Sequence, residues 1–349
     1  MQNSLEQRRQ IQQELFPGGI PRLWSPLLTH YRTDGSLDRE RMSAHFHHVS
    51  PWIRGLLIPG TTGDGWELDD AQTLEVTAFA LDTARKYGTR LLLGALRTET
   101  EAVRGIMDRM LSLIDGRAPG ASKTVAGLGA CGVCGFAVCP PRGKSLTQEV
   151  IEKALAGILD TGLPVALYQL PFVTLNEASP ETFDRLAAAY PNLIFFKDSS
   201  GRDLIAASPQ DKGEVFLVRG GEGDYTRWLK ISGGSYDGFL LSVTNVFAPE
   251  LSAIVASLET GDLPAAKDLS DRVTKALFDT IAVVRSLPCG NAFTNANKAM
   301  DHFFAFGPGA VDREGPMLKG GMTIPREMLE ATKEVLQSCR LLPTRGYLE

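Results

Sequence analysis

Two apolar segments of the sequence each end on a side chain that can carry a proton. LPVALY ends on Tyr168, and NLIFFK ends on Lys197. A lysine at the end of an apolar strand sits where its ammonium form is disfavoured, so the pKa of the amine falls and the neutral nucleophile becomes available. Such an amine condenses with a ketone to an imine, and a nearby phenol can serve as general acid and base. The pair therefore predicts imine chemistry.

Both residues also have an ordinary structural interpretation. Lys197 could reach out to water or pair with Asp198, and Tyr168 could be a core phenol whose hydroxyl is capped by a carbonyl. Considered together, the two residues favour the chemical interpretation. Matching ends of adjacent strands would bring the phenol within several ångströms of the amine.

The segment GTTGDG, residues 60–65, predicts an anion site. Its glycines allow backbone N–H groups to point inward, and the Thr61 and Thr62 hydroxyls can donate beside them. A substrate carboxylate would fit these donors. The alternative is an ordinary tight turn followed by a capped helix.

The alternation of elements along the chain indicates the scaffold for these residues. Short apolar runs alternate with helical segments whose start signals include Asp69–Asp70, Thr147 and Ser179–Pro180. A doubly wound sheet usually has fewer strands and a glycine-rich turn after the first, and no G-x-G-x-x-G follows that position. The sequence predicts an α/β fold, a (β/α)8 TIM barrel with a C-terminal helical extension. The eight runs are 22–29, 55–60, 90–96, 133–140, 163–168, 192–197, 214–220 and 236–242.

We divide the chain into three parts: an N-terminal helical extension at 1–19, the barrel at 20–258 and a C-terminal helical region at 259–349. The extension is expected to be a short helix packed outside the barrel, or disordered. The insertion at 115–132 lies between a helix and the next strand. We predict it to be a surface loop on the N-terminal face of the barrel, away from the chemistry.

The barrel explains how residues far apart in sequence meet. The C-terminal strand ends and the loops after them form one basin. Thr61 and Thr62 follow the second strand, Arg142 follows the fourth, and Tyr168 and Lys197 end the fifth and sixth. We therefore expect these side chains to converge.

Composition favours small-molecule chemistry. The 349 residues are 43% apolar and 22% charged, with a formal net charge of -5. That balance provides no broad basic surface for nucleic acid or an anionic membrane. The N-terminus lacks the apolar core of a signal peptide, and no apolar run is long enough to span a bilayer, so we expect a cytoplasmic protein.

Cysteines and histidines are expected to be structural. Five cysteines are an odd number for a secreted disulfide framework, which indicates reduced thiols. CGVC at 131–134 is a single C-x-x-C without a partner pair, so a structural interpretation is favoured over a redox or zinc site. His45, His47 and His48 lie on a predicted helix, where His-x-His does not share one face. No metal site is expected there.

The motifs together resemble those of the pyruvate-type class I aldolases and lyases, the family that includes dihydrodipicolinate synthase and N-acetylneuraminate lyase. The resemblance covers most of residues 20–305. GTTGDG is similar to the family's G-T/S-T-G-E, YQLP to Y-N-x-P, FFKDSSG to G-x-K-D/E-x-[ST]-G, and GSYDGFLLSVTNV to G-x-x-G-x-I-S-x-x-x-N. The order and spacing of these motifs also agree.

The resemblance implies a role for each motif residue. Lys197 would form the Schiff base with a 2-oxo acid, and Tyr168 would relay protons. Thr61 and Thr62 would hold the carboxylate, with Thr62 also counted among the catalytic residues. Gly220 and Leu240 would line the pocket.

Two departures argue against dihydrodipicolinate synthase itself. That enzyme has a second relay tyrosine after the fourth-strand proline, contributed across a dimer interface, where this chain has Pro141 and Arg142. It also carries an arginine shortly after Y-N-x-P, where this chain has FVT beginning at Phe172. Losing a buried cationic clamp typically costs about 2–5 kcal/mol of binding. A different acceptor is expected, with Phe172 and Arg142 at the substrate pocket.

The predicted function is a lyase that forms or breaks a carbon–carbon bond next to an imine at Lys197, acting on pyruvate or a 2-keto-3-deoxy sugar acid. No metal or organic cofactor is expected, because the protonated imine is the electron sink. Two alternatives remain: an imine-dependent sugar-acid dehydratase, and a non-catalytic 2-oxo-acid-binding protein of the same fold. The resemblance also implies a homo-oligomer, a dimer or tetramer.

Overall fold

A closed barrel of eight parallel strands forms the centre of the computed structural model, which describes residues 2–349 and side chains from Ser4 onward. The strands are β1 (Leu23–Ser25), β2 (Gly55–Ile58), β3 (Arg90–Gly94), β4 (Val133–Val138), β5 (Val165–Gln169), β6 (Leu193–Asp198), β7 (Phe216–Arg219) and β8 (Gly238–Leu240). Each strand pairs with the next, and β1 pairs with β8. The predicted (β/α)8 barrel and its eight strands are confirmed.

Helices connect most of the strands and complete the C-terminal region. They are α1 (Gln2–Leu15), α2 (Arg39–Val49), α3 (Asp70–Tyr87), α4 (Thr100–Asp115), α5 (Val125–Ala130), α6 (Gln148–Leu159), α7 (Pro171–Thr174), α8 (Pro180–Ala189), α9 (Leu204–Ala207), α10 (Ala248–Thr260), α11 (Leu263–Val284), α12 (Ala292–Phe306) and α13 (Arg326–Ser338). The expectation of a helix after every strand fails at one connection. Between β7 and β8 the chain forms only a three-residue 3-10 helix, Lys230–Ser232.

Three helices begin at the predicted start signals. Asp69 caps α3 in a capping box with Gln72, each side chain bonding the other's backbone N–H. Ser179 caps α8, and its hydroxyl accepts a hydrogen bond from the N–H of Thr182. Thr147 is the N-cap residue of α6, although its side chain makes no capping hydrogen bond. Side-chain caps therefore mark the starts of α3 and α8.

Strand alternation determines which residues face the inside of the barrel. Ala166 of β5 and Phe195 of β6 belong to a buried cluster that also contains Trp24 and Leu57 from β1 and β2. Side chains two residues apart on a strand point the same way. Tyr168 and Lys197 therefore follow Ala166 and Phe195 on the inner face, at the C-terminal end of the barrel.

The N-terminal helix closes the opposite end of the barrel. Leu15, the last residue of α1, and Phe16, just after it, belong to the same interior cluster as Trp24. Arg8 is fully buried and donates to the backbone carbonyls of Leu193 and Tyr190, 2.8 Å from each. A short N-terminal helix was predicted to pack outside the barrel or to be disordered. The helix α1 is present, but its position differs from that prediction. It packs across the mouth at the N-terminal ends of the strands, because its apolar last turn fills the barrel's interior there.

The insertion at 115–132 contains helical structure, whereas a surface loop on the N-terminal face of the barrel was predicted. It contains a 3-10 turn and α5, whose N-cap Thr124 accepts from the N–H of Gly127. A β-carbon on Gly129 would lie 3.3 Å from the carbonyl oxygen of Glu14, so glycine allows close packing on α1. Arg90 donates to the Gly129 carbonyl at 2.8 Å. The insertion therefore supports α1 beneath the barrel.

The C-terminal helices pack onto the barrel through one continuous core. Buried residues of α11 and α13, such as Leu277 and Leu336, share an apolar cluster with outward-facing strand residues such as Leu91. α10 runs across the predicted boundary between residues 258 and 259. Within residues 2–349, no helix is both long enough and apolar enough to cross a membrane.

Candidate active site

Lys197 and Tyr168 face each other on paired strands. Their Cα atoms are register partners in the β5–β6 ladder, and the Lys197 Nζ lies 4.1 Å from the centroid of the Tyr168 ring. Lys197 is 5% exposed, and burial lowers the pKa of its amine to about 7. The alternative partner, Asp198, instead accepts hydrogen bonds from the Ser200 N–H and the Tyr236 hydroxyl. A substantial fraction of the Lys197 amine is thus neutral near pH 7.

A chain of hydrogen bonds extends from Tyr168 to the loop after β2. The Tyr168 hydroxyl lies 3.0 Å from the Thr61 Oγ1, and the indole N–H of Trp66 donates to that same oxygen at 3.0 Å. Burial raises the pKa of Tyr168, which keeps its phenol protonated. The hydroxyl that contacts Tyr168 is that of Thr61, whereas the family resemblance implies a catalytic role for Thr62.

The GTTGDG loop folds into a tight turn beside Tyr168. The N–H groups of Gly63 and Gly65 donate to the Gly60 carbonyl, at 3.0 and 2.9 Å. Within the described chain, the N–H groups of Thr61 and Thr62 donate to no other protein group. Thr62 is buried. The loop therefore retains two backbone donors and a hydroxyl that an anion can use.

A buried ion pair connects the GTTGDG loop to α12. The Lys298 Nζ of α12 lies 2.9 Å from the Asp64 Oδ2, and both side chains are 1% exposed. The Tyr31 hydroxyl donates to the same oxygen at 3.0 Å. Asp64 has a φ of 59°, so its backbone lies in the left-handed region. Asn291, just before α12, donates to the Thr61 carbonyl.

Gly220 lies just after β7, beside the Lys197 side chain, and Leu240 lies on β8. A β-carbon on Gly220 would lie 2.8 Å from the Lys197 Cε and 2.1 Å from the Ser199 Oγ. Only glycine leaves room for the lysine side chain at that point. Leu240 is buried in the cluster that fills the barrel beneath the amine. The structure thus gathers Thr61, Tyr168 and Lys197 at one end of the barrel.

Part of the chain matches a known protein family. Residues 119–290 match the model of the dihydrodipicolinate synthetase family. The 4-hydroxy-tetrahydrodipicolinate synthase of Chelativorans sp. (strain BNC1) is 28% identical over 270 residues, which is 76% of this chain and 84% of that protein. Residues 119–290 thus carry the pattern of the dihydrodipicolinate synthetase family. The predicted family is therefore confirmed.

Solved structures share the fold. YagE, a prophage protein of E. coli K12 solved in complex with pyruvate, has a TM-score of 0.69 and 17% identity, covering 92% of this chain and 99% of its own. A variant of the Sulfolobus solfataricus 2-keto-3-deoxygluconate aldolase also has a TM-score of 0.69, with 14% identity over 92% of this chain and 96% of its own. Dihydrodipicolinate synthetase family proteins are class I aldolase-type lyases that act on pyruvate through a Schiff base.

The two departures from the family pattern lie at the rim of the site. Arg142 is exposed, and its backbone N–H bonds the Thr98 carbonyl at 3.0 Å. Phe172, on the short helix α7, is 85% exposed. The residue of α7 that packs against the cluster around Tyr168 is Val173. The structure therefore brings Val173 to Tyr168, while Phe172 faces solvent in the single chain.

Sequence reasoning missed two residues of the site. Trp66 lies just after GTTGDG, and an indole one residue beyond an anion loop could have signalled an extra N–H donor. Glu222 follows the strand-seven glycines. Its carboxylate accepts from the N–H and hydroxyl of Ser242, at 2.6 and 2.7 Å, and from the Tyr225 hydroxyl at 2.9 Å. Nothing local in the sequence marked this long-range contact.

The histidines form a buried hydrogen-bond network. His45 packs against His30, with their ring nitrogens 3.1 Å apart, and its other nitrogen bonds the Asn245 carbonyl. These two rings and Asp301 are close enough to hold a metal ion together. However, Arg41 pairs with Asp301, and Tyr347 donates to it. Protein partners thus occupy the donors. His47 packs against Tyr87, and His48 stacks on Tyr347.

The cysteines are all free thiols. Cys134 is buried in β4, where its Sγ donates to the Leu91 carbonyl, and burial raises the pKa of this thiol. Cys131 is half-buried in the turn after α5, and burial raises its pKa as well. Raised pKa values are the opposite of what a redox thiol requires. The structural interpretation of CGVC is therefore favoured.

Proposed function

We propose that this protein is a Schiff-base-forming lyase that acts on pyruvate or a related 2-oxo acid through an imine at Lys197. The observation that carries the proposal is a buried amine, with its pKa lowered to about 7, in contact with a phenol that is hydrogen-bonded to a threonine. A neutral amine attacks a ketone, whereas an ammonium does not. The family match supports the same assignment.

The proposed first half of the reaction uses the loop and the amine. The two free N–H groups of the GTTGDG loop and the Thr62 hydroxyl bind the carboxylate, which holds the ketone carbon near the Lys197 Nζ. The amine adds to this carbon to give a carbinolamine. Tyr168 gives its proton to the departing hydroxyl, which leaves as water, and the protonated imine remains.

The second half uses the imine as the electron sink. The Tyr168 phenolate left by the first half takes a proton from the carbon next to the imine, which gives an enamine and restores the phenol. That carbon then attacks the carbonyl carbon of an aldehyde, and the new alkoxide takes a proton from Tyr168. Water hydrolyses the imine and releases a 4-hydroxy-2-oxo acid. In the cleavage direction, the same steps run backwards.

We assign the relay position to Thr61 and carboxylate binding to Thr62. Thr61 Oγ1 accepts the Trp66 N–H, so its own proton is free to donate to the Tyr168 oxygen. That arrangement leaves the Tyr168 proton for the substrate. Trp66 thus stands at the end of the chain of hydrogen bonds, within the same subunit. It takes the place that a second tyrosine has in the synthase.

The acceptor is proposed to differ from that of dihydrodipicolinate synthase. The α7 side chain that approaches Tyr168 is the apolar Val173, in the segment where the synthase carries a carboxylate-binding arginine. An apolar residue there supplies no charge for a second carboxylate. The family's synthase reaction is therefore the less favoured assignment.

Reductive trapping tests the proposed function. Incubation with pyruvate and sodium cyanoborohydride should add the mass of one reduced pyruvate to a peptide that contains Lys197. Lys197→Ala should abolish the adduct, while Lys230→Ala, at an exposed lysine paired with Asp237, should retain it. An adduct that forms elsewhere, or none with any 2-oxo acid tried, would refute the proposal.

A further inference from the structure

One side of the site is apolar. Around Tyr168 the structure packs Leu96, Cys139 and Leu170, with Trp66 and Val173 against them. We call these five residues the apolar wall: Trp66, Leu96, Cys139, Leu170 and Val173. They come from the segments that follow β2, β3, β4 and β5, which are neighbouring strand ends in the barrel.

The apolar wall lies where the acceptor must be. In the proposed reaction, the aldehyde oxygen takes its proton from the Tyr168 hydroxyl, so the aldehyde carbon sits next to that group. Tyr168 is itself a member of the apolar cluster. The substituent on the aldehyde carbon therefore extends along the apolar wall.

The carboxylate on the other side of the site, that of Glu222, is already engaged. It accepts from Ser242 and Tyr225. A sugar chain with several hydroxyls needs free donors and acceptors, because an unpaired buried hydroxyl costs free energy. The Glu222 carboxylate therefore offers few free acceptors.

We propose that the acceptor is an apolar aldehyde, aromatic or branched aliphatic, and not a polyhydroxylated or carboxylated one. This inference rests on the proposed function. The enamine carbon of bound pyruvate forms a bond to the aldehyde carbon, and the carbonyl electron pair moves to oxygen, which takes the Tyr168 proton. Hydrolysis of the imine by water then restores the Lys197 amine. The sum is pyruvate plus aldehyde giving a 4-hydroxy-2-oxo acid.

A panel of aldehydes tests the inference. The full-length protein is incubated with pyruvate and, in turn, benzaldehyde, isobutyraldehyde, glyceraldehyde or succinic semialdehyde, and the 4-hydroxy-2-oxo acids are quantified by mass spectrometry. The kcat/KM values for the two apolar aldehydes, benzaldehyde and isobutyraldehyde, should exceed those for glyceraldehyde and succinic semialdehyde by about 10–100-fold, the range that apolar contacts typically give. Equal or faster turnover of glyceraldehyde or succinic semialdehyde would overturn the inference.

The two levels of the proposal fail differently. If pyruvate gives the trapped adduct at Lys197 but neither apolar aldehyde reacts, the acceptor inference is wrong and the imine chemistry stands. If no 2-oxo acid gives an adduct, the proposed function itself is wrong.

A charge placed on the apolar wall provides a second test. Val173→Arg should lower kcat/KM for benzaldehyde by at least 10-fold and raise the ratio of succinic semialdehyde to benzaldehyde turnover. Val173 is only half-buried, so the arginine can be accommodated. Val150→Arg is the matched control, because Val150 is 47% exposed on α6. An unchanged ratio in folded Val173→Arg would contradict the inference.

Discussion

The Lys197 amine lies over the face of the Tyr168 ring, 4.1 Å from its centroid. A ring face attracts a cation, which favours the ammonium form. Burial favours the neutral amine more strongly, and the pKa of Lys197 falls to about 7. The two effects together leave the amine poised between its protonation states near neutral pH. This balance suits a group that must be a neutral nucleophile and later the nitrogen of a cationic imine.

The rate of imine formation should rise as pH increases through about 7. Below that value, the Lys197 amine is protonated and cannot attack the ketone. The initial rate of cyanoborohydride trapping with saturating pyruvate should therefore increase about tenfold per pH unit below pH 6 and level off above pH 8. A rate that keeps rising to pH 10 would show an ordinary lysine pKa.

Lys197→Met should stabilise the protein at low pH. The folded-state pKa of about 7 lies below the ordinary lysine value of 10.5, so the unfolded state binds more protons between these two values. Stability therefore rises with pH across that window, and the cost of the buried charge is greatest below pH 7. Urea denaturation should give a gain of about 3–5 kcal/mol at pH 6 that disappears near pH 10. A variant less stable than the parent at pH 6 would contradict this.

Gly220→Ala should abolish trapping while the protein stays folded. The added β-carbon would lie 2.8 Å from the Lys197 Cε and closer still to the Ser199 Oγ, so the lysine side chain must move. We expect a loss of at least 100-fold in trapping rate, because small misplacements of a reacting group are costly. Gly309→Ala is the control, since nothing lies within 4 Å of a β-carbon there. Equal trapping rates in both variants would show that Lys197 does not need a glycine at position 220.

Sequence patterns sufficed for the barrel and for the central pair of residues. The eight apolar runs indicated the strands, and the strand-end positions of Tyr168 and Lys197 indicated that these residues converge. Contacts between distant segments were not encoded locally. The end of α1 inside the barrel, Val173 in place of Phe172 against Tyr168, and Glu222 on Ser242 each depend on tertiary packing that no short motif reports.

Trp66→Phe should slow proton transfer more than imine formation. The substitution removes the N–H that donates to Thr61 and keeps an aromatic ring in place. Exchange of pyruvate methyl protons for deuterium, followed by NMR, needs no acceptor and should slow by about 10-fold, at the low end of acid–base effects. Trapping at Lys197 should change less than threefold. Trp52→Phe, at a partly exposed tryptophan, is the control. Equal losses in exchange and trapping would indicate a structural role alone.

Lys298→Met should destabilise the protein and weaken pyruvate binding. The variant leaves Asp64 as a buried carboxylate without its cation, which typically costs about 3–5 kcal/mol. Because Asp64 lies in the GTTGDG loop, its displacement should also disturb Thr61 and Thr62. Thermal unfolding and the pyruvate concentration for half-maximal trapping measure the two effects.

Two comparisons separate the buried pair from lysine removal in general. Lys267→Met breaks an exposed pair with Asp271 and should cost less than about 1 kcal/mol. In the double variant Asp64→Asn with Lys298→Met, no buried charge is left, and asparagine tolerates the left-handed backbone at that position. Stability should recover in part, whereas pyruvate affinity should stay low if the ion pair positions the loop. If stability and pyruvate affinity both recover, the Lys298–Asp64 pair is dispensable for the site, and only the uncompensated Asp64 carboxylate was harmful.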